Sequence, residues 1–301
     1  MLFINDIISK IITNKANLLL DTKAILGEGP VWDWKKQLLY WVAIEASQLY
    51  AFNPANGETQ RWIFNEMLGA AVPTLSGEMI MGFEKGLALF NFESETLLPL
   101  NILENQNSEL RYNDGKVAPN GAFFIGSMHK QFVHETGNLY VVKPDFKTAI
   151  LIPKTTISNG MAWTSDTKKF YFIDSPTFEV SSFDFIDSSL SNRKLAFKIP
   201  KNYGAPDGMC IDNEDMLWIA HWGGHCVRRW NPKTGEVLET IEVPAPHVTS
   251  CCFGGKDLKT LYITTARSGL SSKQLEEFPL SGGVFSHTSK VVGTPITYFK
   301  N

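Results

Sequence analysis

Short apolar runs rich in aromatic residues recur along this chain, and each one follows a turn that contains a small or polar residue. Six such runs lie at residues 39–41, 79–81, 123–125, 170–172, 217–219 and 261–263. Their spacing of roughly 40 to 47 residues is the period of a propeller blade built from four strands. The pattern therefore predicts an all-β protein, a six-bladed β-propeller.

Long stretches of helical periodicity, which an α/β architecture needs between its strands, are missing from the pattern. Only residues 3–13 have the spacing of a short helix. Proline and glycine are scattered over turn positions, and no linker divides the chain. We therefore expect an N-terminal extension over residues 1–15, in which a short helix can form, and a single propeller domain over residues 16–301.

The composition is that of a globular protein, and it narrows the classes of partner. Of the 301 residues, 44% are hydrophobic and 12% are aromatic, and the formal net charge is −3. Basic and acidic residues are mixed, so no positive surface for nucleic acid is expected. No run approaches the ~20 apolar residues that cross a bilayer, so no membrane partner is expected, and nothing in the pattern indicates an obligate protein partner.

Cysteine usage bears on the compartment. The four cysteines include no CxxC pair, and residues 1–20 lack the uninterrupted apolar core of a signal peptide. Buried, reduced thiols are typical of proteins in a reducing compartment. The sequence therefore predicts a cytoplasmic location.

Polar residues recur in one register upstream of the apolar runs. The strand that precedes each run begins about 11 to 13 residues before it, at residues 27–30, 68–70, 113–115, 158–160, 206–208 and 249–251. In this register Glu28, Asn159 and Asp207 align best with one another, and Asn113 follows closely. A ring of blades brings such positions together around its axis. Two carboxylates beside carboxamide oxygens at that point favour a hard divalent cation.

Each of these residues also has a simpler interpretation. Steps such as Asn-Gly and Asp-Gly are common in ordinary turns, and only their repetition in register favours a metal site. Arg111 lies two residues before Asn113, so both face the same side of an extended strand. Arg111 is then either a substrate contact beside the metal or a solvated rim residue. His129, near the predicted mouth at a strand end, is either a further substrate contact or a bystander.

Several motifs in fixed order resemble those of the gluconolactonase family that includes regucalcin, also called senescence marker protein. They are Leu-Gly-Glu-Gly-Pro-Val-Trp-Asp at 26–33, Arg-Tyr-Asn-Asp-Gly-Lys-Val at 111–117, Ser-Asn-Gly-Met-Ala-Trp at 158–163 and Pro-Asp-Gly-Met at 206–209. Further matching segments lie at 221–224, 248–251 and 260–267, so the resemblance covers essentially the whole predicted propeller. Because the set is far more specific than any single motif, the chain is identified as a member of that family.

The resemblance implies a metal-dependent lactonase. It implies that Glu28, Asn159 and Asp207 are the metal ligands and that Arg111 and Asn113 bind substrate near the metal. It also implies that Asp207 assists as a general base. The family members that this chain resembles hydrolyse aldonolactones to aldonic acids with calcium, zinc, magnesium or manganese.

One departure from the family pattern bears on specificity. Gln131 stands where some members have a carboxylate that contacts the substrate, so Gln131 is a candidate substrate contact and the identity of the sugar stays open. We expect a hydrolase of carbohydrate metabolism that opens a gluconolactone-like aldonolactone. One divalent cation, Ca²⁺ in the first place and Zn²⁺, Mg²⁺ or Mn²⁺ as alternatives, would polarise the carbonyl and activate water. Two other functions stay open: a non-catalytic calcium-binding regulatory propeller, and a hydrolase of other esters on the same metal site.

Overall fold

The regular structure of this protein is almost entirely β-strand. The computed structural model describes residues 12–301. Strands β1 (Ile12–Lys15) and β2 (Asn17–Leu20) precede a repeating arrangement of antiparallel strands. In the described part of the chain, the helical segments are α1 (Ser272–Glu277) and two single 3₁₀ turns, Ser175–Thr177 and Lys201–Tyr203.

The repeating strands form six sets in chain order. The first set is β3 (Gly27–Asp33), β4 (Leu38–Ala43), β5 (Gln48–Phe52) and β6 (Thr59–Ile63), and the second is β7 (Leu68–Pro73), β8 (Met79–Phe83), β9 (Leu87–Asn91) and β10 (Thr96–Pro99). The third is β11 (Leu110–Val117), β12 (Phe123–His129), β13 (Gly137–Val142) and β14 (Thr148–Thr155), and the fourth is β15 (Ser158–Trp163), β16 (Lys169–Asp174), β17 (Glu179–Ile186) and β18 (Ser189–Lys198). The fifth is β19 (Ala205–Ile211), β20 (Leu217–Trp222), β21 (Cys226–Asn231) and β22 (Glu236–Glu242), and the sixth is β23 (His247–Gly254), β24 (Thr260–Ala266) and β25 (Val284–Thr288), with β2 beside β25.

The sets are joined into sheets in two ways. The first four sets are separate four-stranded sheets, whereas the fifth and sixth share one nine-stranded sheet. Only the backbone pair Trp222–His247 links the fifth set to the sixth in the described strands. Strand β1 pairs in parallel with β22, and β2 pairs antiparallel with β25, so the N-terminal strands complete the last two sets.

The first strands of the sets line a common centre. Each packs against the first strand of the next set, and β23 packs against β3, which closes the ring. Strand β15 is buried at every residue, whereas the outermost strand β10 is exposed at every residue. A ring of four-stranded antiparallel sheets of this kind is the arrangement of a β-propeller. The six apolar runs of the sequence all lie within the second strands of their sets.

The hydrophobic core lies between neighbouring sets. The Trp32 ring stacks on Tyr262 with ring centroids 5.7 Å apart, which packs the first set against the sixth. Phe124 and Trp163 meet edge to face at 5.1 Å between the third and fourth sets. Because the second strands are buried on both faces, they carry continuous apolar runs rather than a strict alternation.

Three further expectations concern the chain as a whole. The expected short helix over residues 3–13 lies almost wholly outside the described residues, and its last two residues, Ile12 and Thr13, are in strand β1, held by pairing with β22. All four cysteines are free and buried, as expected. No helix within residues 12–301 is both long and apolar enough to cross a membrane.

Candidate metal centre

Five of the seven residues singled out in the sequence line one cavity of about 460 Å³ at the centre of the ring. They are Glu28 on β3, Arg111 and Asn113 on β11, Asn159 on β15 and Asp207 on β19. Each therefore comes from the first strand of its set, as the register of the repeat predicts. Residues up to 179 positions apart in the chain, from Glu28 to Asp207, meet there because the ring closes.

A β-bulge aims these side chains into the cavity. The pairing register shifts between Glu28 and Val31, Tyr112 and Gly115, Ser158 and Met161, and Pro206 and Met209. Asn113, Asn159 and Asp207 therefore lie within bulges and Glu28 borders one, whereas Arg111 is regularly paired with Met128. Bulges redirect a side chain and are common beside functional sites. The Asn-Gly and Asp-Gly steps are thus parts of strands, not the tight turns of the simpler interpretation.

The glycines of these steps are needed for close packing between sets. A Cβ atom at Gly160 would lie 2.7 Å from the backbone oxygen of Asp207. A Cβ atom at Gly208 would lie 2.1 Å from the Ser250 hydroxyl. Both distances are shorter than a normal contact, so only glycine lets neighbouring first strands approach this closely.

A hydrogen-bond network fixes the orientation of the Asn159 carboxamide. Its Nδ2 donates to Asp207 Oδ1 at 2.5 Å and to the Ser175 hydroxyl at 3.1 Å. With both amide protons directed away, Asn159 Oδ1 is left buried and without a hydrogen-bond partner. A buried carbonyl oxygen is normally paired, so this one is free to act as a ligand.

Arg111 and Asn113 form a second network on β11. Arg111 Nη1 donates to Asn113 Oδ1 at 2.7 Å and to the Tyr112 backbone oxygen at 3.0 Å. Asn113 Nδ2 donates to the Ser158 backbone oxygen at 3.0 Å. Arg111 is buried, with only 8% of its surface exposed, so it is not a solvated rim residue.

The site holds two carboxyl groups away from solvent. Glu28 is 6% exposed and Asp207 is 7% exposed. Burial, and then the nearby charge of Asp114, raises the pKa of Asp207 to about 8. Burial, followed by the charges of Asp207 and Asp114, raises the pKa of Glu28 well above its usual value. Negative charge is unfavourable at both groups because they are buried. A cation beside them would stabilise the ionised form of both carboxyl groups.

The donor set fits a hard divalent cation. Within residues 12–301, no group of three or more His, Cys, Asp or Glu side chains is placed to hold a metal ion. The set of Glu28, Asp207 and Asn159 is instead two carboxylates and one carboxamide, all oxygen donors of the kind that Ca²⁺ and Mg²⁺ take. The unpaired Asn159 Oδ1 is the observation that favours a cation over a purely structural hydrogen-bond cluster.

Two residues of the sequence-based set do not line the cavity. His129 ends strand β12 and is half-buried, and Gln131 is exposed in the segment that follows. Their neighbours Lys130 and Phe132 line the cavity instead, and the Lys130 ammonium forms an ion pair with Glu84. The chain leaves β12 at His129 and turns, so Lys130 and Phe132 rather than His129 and Gln131 face the cavity, and the proposed substrate contacts of the latter two stay predictions.

Two further residues that line the cavity lie at the ends of second strands. Ser175 directly follows β16, and Trp222 ends β20; both line the cavity. In an antiparallel pair the end of the second strand lies beside the start of the first, as the pairing of Ser158 with Asp174 and of Ala205 with Trp222 demonstrates. The repeat therefore brings the ends of the second strands to the same end of the ring as the proposed ligand residues.

The chain is similar in sequence and in fold to known proteins of one family. A family model described as "SMP-30/Gluconolactonase/LRE-like region" matches residues 26–267. Regucalcin of Bos taurus is 34% identical over 281 residues, which cover 91% of this chain and 94% of the relative. The Bacillus subtilis (strain 168) protein YvrE, whose name describes it as a candidate sugar lactone lactonase, is 35% identical, with 90% and 94% covered. The crystal structure of a calcium-binding protein, regucalcin, from Agrobacterium tumefaciens str. C58 superposes with a TM-score of 0.93 at 24% identity, covering 97% of this chain and all of the other.

Proposed function

Because this chain belongs to the SMP-30/gluconolactonase/LRE-like family, as its sequence motifs predicted, we propose that it is a metal-dependent lactonase. In this proposal it opens a gluconolactone-like aldonolactone to the aldonic acid. One observation supports the proposal above all others. Two buried carboxyl groups and an unpaired buried carboxamide oxygen face a cavity large enough for a small molecule. The name of the Bacillus subtilis relative points to the same substrate class.

Glu28, Asn159 and Asp207 would hold the cation, with Ca²⁺ as our first choice. When bound, a divalent cation supplies positive charge that polarises a carbonyl group and makes water more acidic. In this arrangement the lactone would bind with its carbonyl group towards these three ligand residues.

Proton transfer and substrate orientation are then assigned to side chains of this protein. Asp207 would accept the proton of the attacking water, because its carboxyl group lines the cavity beside the other proposed ligand residues. Arg111 uses one of its nitrogens to hold Asn113 and retains further N–H groups for oxygen atoms of the substrate. Asn113, fixed by Ser158 and Arg111, would bind a ring hydroxyl.

We also infer that the six strand sets are the blades of a six-bladed propeller forming one domain over residues 16–301. Among the strands of residues 12–301, one backbone pair, Trp222–His247, joins the fifth blade to the sixth in a shared sheet, which supports counting them as two. A cytoplasmic location is proposed as well, since the four free thiols suit a reducing compartment.

The proposal is tested by measuring acid release from a panel of aldonolactones, starting with D-glucono-δ-lactone. Chelator-stripped protein is assayed with and without added Ca²⁺, Zn²⁺, Mg²⁺ or Mn²⁺. We expect hydrolysis only with a metal. Metal binding without turnover of any lactone or ester would instead favour a regulatory calcium-binding propeller, and turnover of aryl esters alone would favour a different hydrolase on the same site.

Substituting Glu28→Gln is expected to weaken metal binding by about a hundredfold or more. The change keeps the size of the side chain but removes one of two negative charges beside the cation. Isothermal titration calorimetry of chelator-stripped protein with Ca²⁺ measures the affinity. The control is Glu58→Gln at an exposed glutamate, which should bind Ca²⁺ as the wild type does. Unchanged affinity in Glu28→Gln would show that the ligand set is wrong.

Ser175→Ala is expected to lower metal affinity by about tenfold to a hundredfold, the usual effect of losing a group that orients a ligand. Without the Ser175 hydroxyl, the Asn159 carboxamide loses one of the two acceptors that direct its Oδ1 into the cavity. Ser175→Thr keeps a hydroxyl and should restore binding. The same titration measures both variants, and equal affinity in Ser175→Ala and the wild type would contradict this orienting role.

A further inference from the structure

The cavity has a polar floor and an apolar wall. The ligand residues and Arg111 are buried, whereas four apolar residues that line the same cavity are partly or largely exposed and so lie nearer its mouth. We call these the apolar wall: Met67, Phe132, Ile157 and Trp222. The cavity volume of about 460 Å³ lies within the range of roughly 300 to 1,000 Å³ that holds drug-sized ligands, so room remains beside a single lactone ring.

Phe132 presents an aromatic ring at the cavity mouth. It lies in a turn in which its backbone N–H donates to the His129 backbone oxygen at 2.9 Å. Its side chain lines the cavity and is 61% exposed, so the ring is available for contact with a ligand.

Trp222 is held in place from behind. Its ring stacks on the His247 ring with centroids 4.0 Å apart and an interplanar angle of 14°. His247 is itself fixed, because its Nδ1 is hydrogen-bonded to the Ser268 backbone oxygen at 2.9 Å. A rigid, partly exposed aromatic ring loses little entropy on binding, which favours apolar contact with a ligand.

The polar side chains near the mouth already have partners in the protein. Lys130 is paired with Glu84, and the Glu45 carboxylate accepts a hydrogen bond from the Ser268 hydroxyl at 3.1 Å. Partners for the many hydroxyl groups of an unmodified sugar are therefore scarce at this end, whereas apolar surface is plentiful.

We propose that the apolar wall is a binding subsite for an apolar substituent of the substrate, so that a lactone carrying an alkyl or aryl group next to the reacting ring is a better substrate than the same lactone without it. This inference rests on the proposed function, because the wall borders the site at which the lactone would be opened.

The test uses a series of substrates that share one six-membered lactone ring and differ in the length of an alkyl substituent. We measure kcat/KM of the metal-loaded protein on δ-valerolactone, δ-octalactone and δ-decalactone. If the alkyl substituent binds against the apolar wall, kcat/KM should rise by roughly threefold to fourfold per added methylene until the wall is covered. Values that are flat or that fall with chain length would overturn the subsite while leaving lactone hydrolysis standing.

Two variants test whether the dependence of kcat/KM on substituent length comes from the apolar wall. Phe132→Gly removes the ring at a backbone conformation that glycine favours, and it should reduce the ratio of kcat/KM between δ-decalactone and δ-valerolactone by about tenfold. Val133→Ala changes the adjacent residue, which is exposed but does not line the cavity, and should keep the wild-type ratio. A ratio unchanged in Phe132→Gly, or reduced equally in both variants, would remove Phe132 from the subsite.

Binding of unreactive analogues separates this inference from the proposed function. The δ-lactam counterparts of δ-valerolactone and δ-decalactone are titrated by calorimetry. Tighter binding of the longer lactam supports the subsite even if no lactone is turned over, in which case the proposed function alone fails. Equal binding of both lactams overturns the subsite whatever the outcome of the activity assay.

Discussion

Asp207→Asn is expected to lower kcat/KM for lactone hydrolysis by about 10³-fold to 10⁴-fold. The substitution preserves the shape of the side chain and its place beside Asn159, but it removes both the proton acceptor and one negative charge facing the cation. Loss of a general base alone reduces a rate by about 10²-fold to 10⁴-fold. Steady-state kinetics on D-glucono-δ-lactone at saturating metal measures the effect.

Asp114→Asn is the matched control for this experiment. Asp114 is also a buried carboxyl group with a raised pKa, and it lies next to Asn113, but it does not line the cavity. Its substitution should leave kcat/KM within about tenfold of the wild-type value, since Asp114 acts on the site only through its charge. Full activity of Asp207→Asn at saturating metal would eliminate Asp207 as the base.

The substitution Asp207→Asn is also expected to stabilise the metal-free protein at alkaline pH. The folded protein holds the Asp207 proton up to a pKa of about 8, whereas an unfolded chain releases it near pH 4. Between these values the folded state binds more protons, so the free energy of unfolding falls as the pH rises. Asparagine does not titrate, and the variant should therefore gain about 2–5 kcal/mol over the wild type at pH 8.5, with no gain at pH 4.

Thermal unfolding in excess chelator at pH 4 and pH 8.5 measures this difference. The wild-type melting temperature should fall more steeply with pH than that of Asp207→Asn. Added Ca²⁺ should raise the wild-type value at pH 8.5 and have a much smaller effect on the variant, since binding to the folded state alone stabilises it. Parallel pH profiles for the two proteins would show that Asp207 ionises freely and is not held in a desolvated cluster.

The repeat of apolar runs carried most of the information about the fold. The runs at 39–41 and 261–263, like the four between them, lie in the second strands of their sets, and the all-β architecture follows from their spacing. The family motifs were equally informative, because they span the chain and the family model matches residues 26–267. A period and a set of motifs are local properties, which a sequence records directly.

The sequence also located the candidate site, through the register of Glu28, Asn113, Asn159 and Asp207. Equivalent positions of a closed ring converge on its axis, so a repeat predicts which residues meet without predicting their distances. The roles of these residues stay predictions that the experiments above test. His129 and Gln131 lie outside the cavity lining, since a sequence does not reveal where a strand ends and which neighbour then faces inward, and their role as substrate contacts stays a prediction.

Tertiary structure alone decided how the site is arranged. The bulges that aim Asn159 and Asp207, and the bonds from Asn159 to Ser175 and Asp207 that leave its Oδ1 unpaired, depend on contacts between different sets of strands. So does the apolar wall, in which Met67 and Trp222 come from segments 155 residues apart. Pattern along a chain fixes which elements form and in what order. The burial of a carboxyl group and the partners of an amide arise only when distant elements pack together, because desolvation and hydrogen bonding depend on neighbours in space.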